Sequence, residues 1–242
     1  MSIPRVRMFA GPNGSGKSTL KASVPEQLLG KYINPDDIEK QISSKKTLNF
    51  SDYSLTVTET DVLNFFRNST LLDRGNQKLF VDSLKFSENK LLFEAVPTNS
   101  YFASVASDFI RQNLLLEKIS FSFETVMSSE DKVNFLKKSQ KMGFRTYLYF
   151  IATQDSSINV SRVQNRVSQG GHPVPLDKIV SRYTRSLDLL IEAIKYSYRA
   201  FIFDNSGQDA FCIAEIFQGT INPRVDAAPN WFNKYVVEKF EN

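Results

Sequence analysis

The sequence of 242 residues holds a single cysteine and a single histidine. One cysteine, Cys212, cannot close an intramolecular disulfide, so no disulfide framework organises the fold and a reducing compartment is expected. Cys212 lies in the apolar stretch 210–216 and reads as core. His172 has no cysteine or histidine partners, which argues against a zinc centre. No apolar run approaches the ~18 residues that a membrane-spanning helix needs. The stretch ahead of Gly11 is too short for a secretory hydrophobic region, and Ser2 stands where myristoylation requires glycine. A soluble, cytoplasmic protein is the expectation. Thirty basic residues against 26 acidic ones give a formal charge of +4 and a pI near 9.0. That mild bias suits an anionic substrate. No Lys/Arg-rich run of the kind that binds nucleic acid is present, so a nucleic-acid partner is not expected. Internal repeats and low-complexity tracts are absent as well.

The chain is 41% hydrophobic, with Leu, Ile, Val and Phe spread along its length. That is enough for one sizeable core and excludes wholesale disorder. Residues 6–10 read as a short strand running into a glycine-rich turn, with a helix opening at about Lys17. Tyr32-Ile33 is a second short strand, closed by Asn34-Pro35, because proline pushes the residue before it toward an extended conformation. Asp36 and Asp37 then open a helix, where acidic residues suit the helix dipole. Residues 43–115 are less regular. A helical spacing of apolar residues covers 51–67, two apolar runs at 79–81 and 91–93 are suited to pair as a hairpin, and 101–116 reads as a helix. Beyond them the pattern is regular again. A strand at 119–123 ends at Glu124, and a helix capped at 128–131 stops at Gly143. Residues 147–152 form a continuous apolar run, as in a strand buried on both faces. A helix at 158–167 is broken by Gly170-Gly171-His172-Pro173. A long amphipathic helix follows at 176–198, then a last strand at 200–203. Strands alternating with helices predict an α/β fold with a doubly wound, mostly parallel sheet flanked by helices. One domain over 1–242 is expected, with an inserted segment around 43–100 and a lid over 158–182.

Gly11, Gly16, Lys17 and Ser18 match the pattern G-x-x-x-x-G-K-[ST], which arises by chance about once in a hundred chains of this length. It also sits where the chemistry requires, after a strand and opening a helix. In such a P-loop the backbone N–H groups turn toward phosphate, a lysine places charge on the β/γ oxygens, and a hydroxyl serves as a Mg²⁺ ligand. Gly11, Pro12, Asn13, Gly14, Ser15, Gly16, Lys17, Ser18 and Thr19 are therefore the expected ATP-binding residues, with Ser18 on the metal. No N-K-x-D motif marks a GTPase and no L-S-G-G-Q marks an ABC ATPase.

A small-molecule kinase also needs a base near the acceptor hydroxyl, arginines for the moving phosphoryl, and a lid that excludes water. Asp36 and Glu124 follow strands on the sheet edge where ligands bind, although each also suits a helix-capping role. Arg162 and Arg166 share one helix face ahead of the Gly170-Gly171 hinge, and Arg182 and Arg185 follow it. A solvated helix face is the plainer reading of the first pair. His172 reads as a hinge or substrate contact.

The segments GPNGSGKSTL, INPDDIE, FSFETVMSS, NVSRVQNRVSQGGHPVP, SRYTRSLDLL and FDNSG occur in this order. Together they resemble the zeta toxin family of P-loop kinases, in its stand-alone, predicted-ATPase branch, over about 10–42 and 100–207. The resemblance implies transfer of the ATP γ-phosphoryl to a sugar hydroxyl of a UDP-amino sugar, typically UDP-N-acetylglucosamine. It implies Asp36 as the catalytic base, Glu124 and Thr125 as substrate-binding residues, and Arg166 (or Arg162) with Arg182 as lid arginines. It also implies that Asp204-Asn205 is the loop after the last strand, near the adenine. An antitoxin partner is a further family feature. In the familiar toxins a glycine separates the Glu and Thr that stand adjacent here. Two other readings stay open. One is a kinase for another small molecule. The other is an ATP-hydrolysing switch with Asp204 as its magnesium carboxylate.

Overall fold

The computed structural model describes residues 3–171 and 173–240. The chain divides into two compact units. The first comprises Met1–Gly30 and Ser122–Asn242, and the second Lys31–Phe121. The segment 43–100, singled out as an insertion, falls inside the second.

Strand β1 (Arg5–Ala10) is buried along nearly its whole length and leads through the glycine-rich turn into α1 (Lys17–Ala22) and α2 (Glu26–Leu29). Leu20 and Leu29 from these helices pack on Phe9 and Ile151. The second unit opens with β2 (Lys31–Ile33) and α3 (Pro35–Lys45), which starts as the sequence predicts. Asn34 caps it, Pro35 occupies the first turn, and Asp36 and Asp37 follow. Then come β3 (Thr47–Asn49), α4 (Glu59–Arg67), α5 (Thr70–Arg74), β4 (Lys85–Ser87), β5 (Lys90–Leu92) and α6 (Ser100–Leu116). The last is capped by Asn99, whose side chain accepts from the N–H groups of Tyr101 and Phe102. A small antiparallel sheet runs β3-β5-β4. Phe50, Phe66, Phe93 and Phe102 are fully buried in this unit. Ring pairs such as Phe50–Phe109, 5.4 Å apart and edge-on, add ~0.5–1.5 kcal/mol each beyond area burial. The hairpin differs from the expected one. Residues 79–81 lie in a 3-10 turn, Lys78–Ser83, and β4 takes the place next to β5. Glu88 and Asn89 between them both have positive φ, 50° and 60°, the geometry of a tight two-residue turn.

The first unit resumes along β6 (Phe121–Thr125), followed by α7 (Glu130–Lys141), β7 (Arg145–Ala152), α8 (Ser156–Ser168), α9 (Leu176–Asp188), α10 (Leu190–Lys195) and β8 (Arg199–Asp204). The long helix expected over 176–198 is present as α9 and α10, with Leu189 between them. Two strands lie beyond the one predicted as last, β9 (Phe211–Phe217) and β10 (Thr220–Pro223). A closing helical segment runs through α11 (Asn230–Phe232), a π-helical turn (Asn233–Val237) and α12 (Glu238–Phe240). Within the first unit the strands stand in the order β10-β9-β8-β7-β1-β6. β1, β7 and β8 are parallel, and β9 and β10 extend the sheet antiparallel. This is a mixed α/β fold with a mostly parallel central sheet and flanking helices. β7 is not buried on both faces as its apolar run suggested. Leu148 and Phe150 are fully buried, whereas Tyr147 and Tyr149 are half-buried. Cys212 is half-buried too, and that burial pushes its thiol pKa up. Among the described residues no helix is long and apolar enough to cross a membrane.

Candidate nucleotide-binding site

The turn between β1 and α1 is a formed P-loop. Gly16 stands at the helix start with φ 102°, a conformation costly for any residue with a Cβ. A Cβ there would also come 2.4 Å from the Asn205 side-chain amide, so the position is closed to larger residues twice over. The Lys17 ammonium donates to the carbonyls of Gly11 at 2.8 Å and Pro12 at 2.9 Å, which folds the lysine back over the mouth of the loop. Ser18, exposed at the second helical position, donates its hydroxyl to Glu124 Oε2 at 3.1 Å. Glu124 itself is only 7% exposed at the end of β6. A hydroxyl, a buried carboxylate and an ammonium thus converge on the start of α1.

The loop is held from two sides. Asn159 of α8, fully buried, donates to the Asn13 carbonyl at 2.6 Å and accepts from the Thr153 hydroxyl. The Tyr183 hydroxyl of α9 donates to the Thr153 carbonyl at 2.6 Å, and burial raises its pKa. From the other side, Asn205 donates to the Ser15 carbonyl at 2.8 Å. Arg162 in turn donates to the carbonyls of Asn205 at 2.7 Å and Gly207 at 2.9 Å. Its guanidinium therefore tethers α8 to the loop after β8. Asp204 anchors that loop below. Its buried carboxylate accepts from Ser206 N–H at 2.8 Å, Ser206 hydroxyl at 3.0 Å and Trp231 Nε1–H at 2.7 Å. Two polar atoms of the P-loop, the Ser15 hydroxyl and Asn13 Oδ1, are buried without a hydrogen-bond partner. Each such atom costs ~1–3 kcal/mol until something satisfies it. A phosphate oxygen would accept from Ser15, so the residues present fit a nucleotide.

The remaining expected site residues are placed as follows. Thr125 accepts from Met127 N–H at 3.0 Å and closes the turn after β6. Asp36 lies in the second unit, exposed in the first turn of α3, with its N–H donating to Asn34 Oδ1 at 2.9 Å. Arg166 is exposed near the end of α8, Arg182 half-exposed on α9, and Thr19 exposed on α1. His172 lies outside the described residues. Gly170, φ 84°, closes α8, with its N–H on the Val167 carbonyl and the Gly171 N–H on that of Arg166, both at 2.9 Å. Gly170→Ala is expected to lower stability by about 1 kcal/mol, a melting temperature roughly 2–4 °C lower, read by calorimetry. No change would mean that this helix stop is not formed in solution. Sequence reasoning missed Asn159, Thr153, Tyr183, Ser206 and Trp231. An asparagine inside a helix, a poor helix former, is the one signal that was available. Among the described residues no group of three or more His, Cys, Asp or Glu is gathered as a metal cluster.

No family model matches the sequence. A stretch of 67 residues, 28% of the chain, is 30% identical to an uncharacterized protein of Haemophilus influenzae and spans 48% of it, about half that relative's length. Among solved structures, the AvrRxo1-ORF1:AvrRxo1-ORF2 complex with sulphate ions aligns over 96% of this chain and 63% of that chain, with TM-score 0.56 and 13% identity. The AvrRxo1-ORF1:-ORF2 complex with ATP aligns over 98% and 63%, with TM-score 0.54 and 12% identity. A structure from the PezAT chromosomal toxin–antitoxin system of Streptococcus pneumoniae aligns over 99% and 83%, with TM-score 0.52 and 14% identity. The chain therefore spans less than two thirds of the AvrRxo1 chains and most of the PezAT one. The α/β fold expected from the sequence is the fold of these solved structures.

Proposed function

We propose that a chain with this fold and this P-loop is an ATP-dependent kinase of small molecules, acting on an alcohol group. The observation that carries the reading is the Ser18–Glu124 contact beside Lys17, on a loop whose buried Ser15 hydroxyl awaits an acceptor. Magnesium takes an octahedron of about six oxygen ligands, several of them water and phosphate, and a serine hydroxyl with a neighbouring carboxylate suits its protein side. Ser18 and Glu124 are the residues that would hold Mg²⁺, directly or through water. Bound Mg²⁺ neutralises charge on the transferring phosphoryl. Lys17 would leave the two loop carbonyls for the β/γ oxygens. Asp36 takes the proton of the acceptor hydroxyl, a role resting on its place in the Asn34-Pro35-Asp36 motif. Arg166 and Arg182 stabilise the moving phosphoryl, while Arg162 and Asn205 keep the loop after β8 against the P-loop. Thr125 and His172 contact the acceptor. That acceptor is a UDP-amino sugar such as UDP-N-acetylglucosamine, and an antitoxin is the natural protein partner, in keeping with the toxin–antitoxin setting of the PezAT neighbour.

The test is ATP turnover with and without UDP-N-acetylglucosamine, with nucleosides and free sugars in parallel. ADP release that requires the UDP-sugar, together with a phosphorylated sugar product, is expected. ADP formed at the same rate without any acceptor would sink the kinase reading. A second measurement isolates the metal. Glu124→Gln is expected to weaken Mg²⁺–ATP binding about tenfold or more while leaving metal-free ATP affinity within about twofold, because only the charged partner of the cation is removed. Equal weakening with and without Mg²⁺ would return Glu124 to the acceptor side. The alternative of an ATP-hydrolysing switch places the magnesium carboxylate at Asp204. Both Asp204 oxygens are already engaged, by Ser206 and Trp231, which favours Glu124 for that role.

A further inference from the structure

The nucleotide chemistry leaves one face of the first unit's sheet unused. Register sets Arg7 beside Tyr147 and Phe9 beside Tyr149, then Tyr147 beside Arg199 and Tyr149 beside Phe201, then Arg199 beside Phe217 and Phe201 beside Glu215. Side chains alternate along a strand, so these residues share one face. The other face, with Met8, Leu148, Phe150 and Ile202, is fully buried. On the shared face, α1 and α2 cover the end nearest the P-loop through Leu20 and Leu29. Toward the amino ends of β1, β7 and β8 the face is built of arginines and rings that are mostly half-buried.

Arg5 stands beside Arg145 in register, and four further guanidiniums gather there. Arg7 lies over the Tyr147 ring at 5.3 Å, Arg145 over Tyr198 at 5.0 Å and Arg199 over Phe217 at 4.7 Å. Arg224 joins them through Glu215, which sits 2.6 Å from Arg224 and 3.0 Å from Arg199. Among the described residues Glu215 is the single carboxylate paired with any of the four. Arg7 is 5% exposed and meets rings and the Tyr149 phenol rather than an acid. Arg199 Nε is buried with no hydrogen-bond partner. Burial lowers the Arg7 pKa, and the Tyr149 phenol offsets that only in part. Such a cation is costly unless an anion comes to it.

We propose that this face docks an acidic segment of a partner protein, whose Asp and Glu carboxylates pair with the arginine forks and tyrosine hydroxyls. Charge complementarity points to an anion. The rings say which kind. Phe9 and Tyr149 stack at 4.9 Å, and Tyr149 and Phe201 at 5.0 Å, so their faces are spent on one another. The faces of Tyr147, Tyr198 and Phe217 are covered by guanidiniums. One face of each of these rings is taken, which reduces the ring area open to the base stacking that single-stranded nucleic acid uses. Arg7, Arg145 and Arg199 lie toward the amino ends of the parallel strands, away from the carboxyl edge that carries the P-loop.

The test uses the whole chain, with fluorescein-labelled poly-L-glutamate and poly(U) of equal length as probes at low ionic strength, read by anisotropy. The glutamate polymer is expected to bind, and Arg145→Glu with Arg224→Glu to weaken it about tenfold or more. The same charge change on α7, Lys138→Glu with Lys141→Glu, is expected to leave it within about twofold, with ATP affinity unchanged and a cooperative melt retained in both variants. Failure of the glutamate polymer to bind, tighter binding of poly(U), or equal weakening by the α7 pair would each overturn the proposal. None of these outcomes touches the kinase reading.

Discussion

Lys17→Ala is expected to abolish turnover and to weaken ATP binding at least about a hundredfold. The lysine is folded onto the loop, donating to the Gly11 and Pro12 carbonyls. A hydrogen bond to a charged group is worth ~1.5–3 kcal/mol, and two of them transferred to phosphate oxygens exceed the ~2.8 kcal/mol that a hundredfold in affinity represents. The same two bonds also brace the free loop, so the variant needs a stability control. A melting temperature near that of the unchanged protein, with calorimetric ATP binding lost, assigns the loss to phosphate recognition. ATP turnover within about twofold of the unchanged protein would show that this loop does not hold the nucleotide.

Asp36→Asn and Asp204→Asn are expected to fail in different ways. General-base catalysis commonly contributes ~10²–10⁴-fold, so Asp36→Asn is expected to lower acceptor phosphorylation by about that factor while ATP affinity stays nearly intact. Its carboxylate is exposed on α3, and the cap that starts the helix uses its N–H and the Asn34 side chain, so folding should not suffer. Asp204→Asn sets an amide against three donors, from Ser206 and Trp231. The mismatch is expected to cost ~1–3 kcal/mol and lower the melting temperature by roughly 3–10 °C. ATP affinity would fall only as far as the loosened loop allows. If Asp204→Asn instead stops turnover in a fully stable protein while Asp36→Asn turns over normally, the hydrolytic switch becomes the better account.

The P-loop was legible because its chemistry uses neighbours in sequence. Lys17 reaches back to carbonyls five and six residues away. Its supports were not legible. Asn159 meets Asn13 across 146 residues, and Asn205 meets Ser15 across 190. No local pattern encodes such a meeting. Alternation of strands and helices gave the fold class, since each strand buried on a parallel sheet announces itself by composition. The errors came where conformation contradicts residue type. The β4–β5 hairpin turns on Glu88 at φ 50°, where glycine or asparagine is the usual sign. In β9 a register shift opposite Ile202 and Phe203 spoils the alternation that would have marked the strand. In the helix expected over 176–198, apolar spacing continues across Leu189, so periodicity alone reads α9 and α10 as one.

The Trp231–Asp204 contact has an optical consequence. The chain has one tryptophan, so its indole emission comes from a single place. That indole is 3% exposed, donates to the carboxylate that also grips Ser206, and packs 6.3 Å from Phe150. The next residue, Asn205, buttresses the P-loop at Ser15. Any event that moves the loop after β8 therefore changes the polarity around one chromophore. The protein carries a built-in gauge of the loop that buttresses the P-loop, and titrating nucleotide against intrinsic fluorescence reads it without a label.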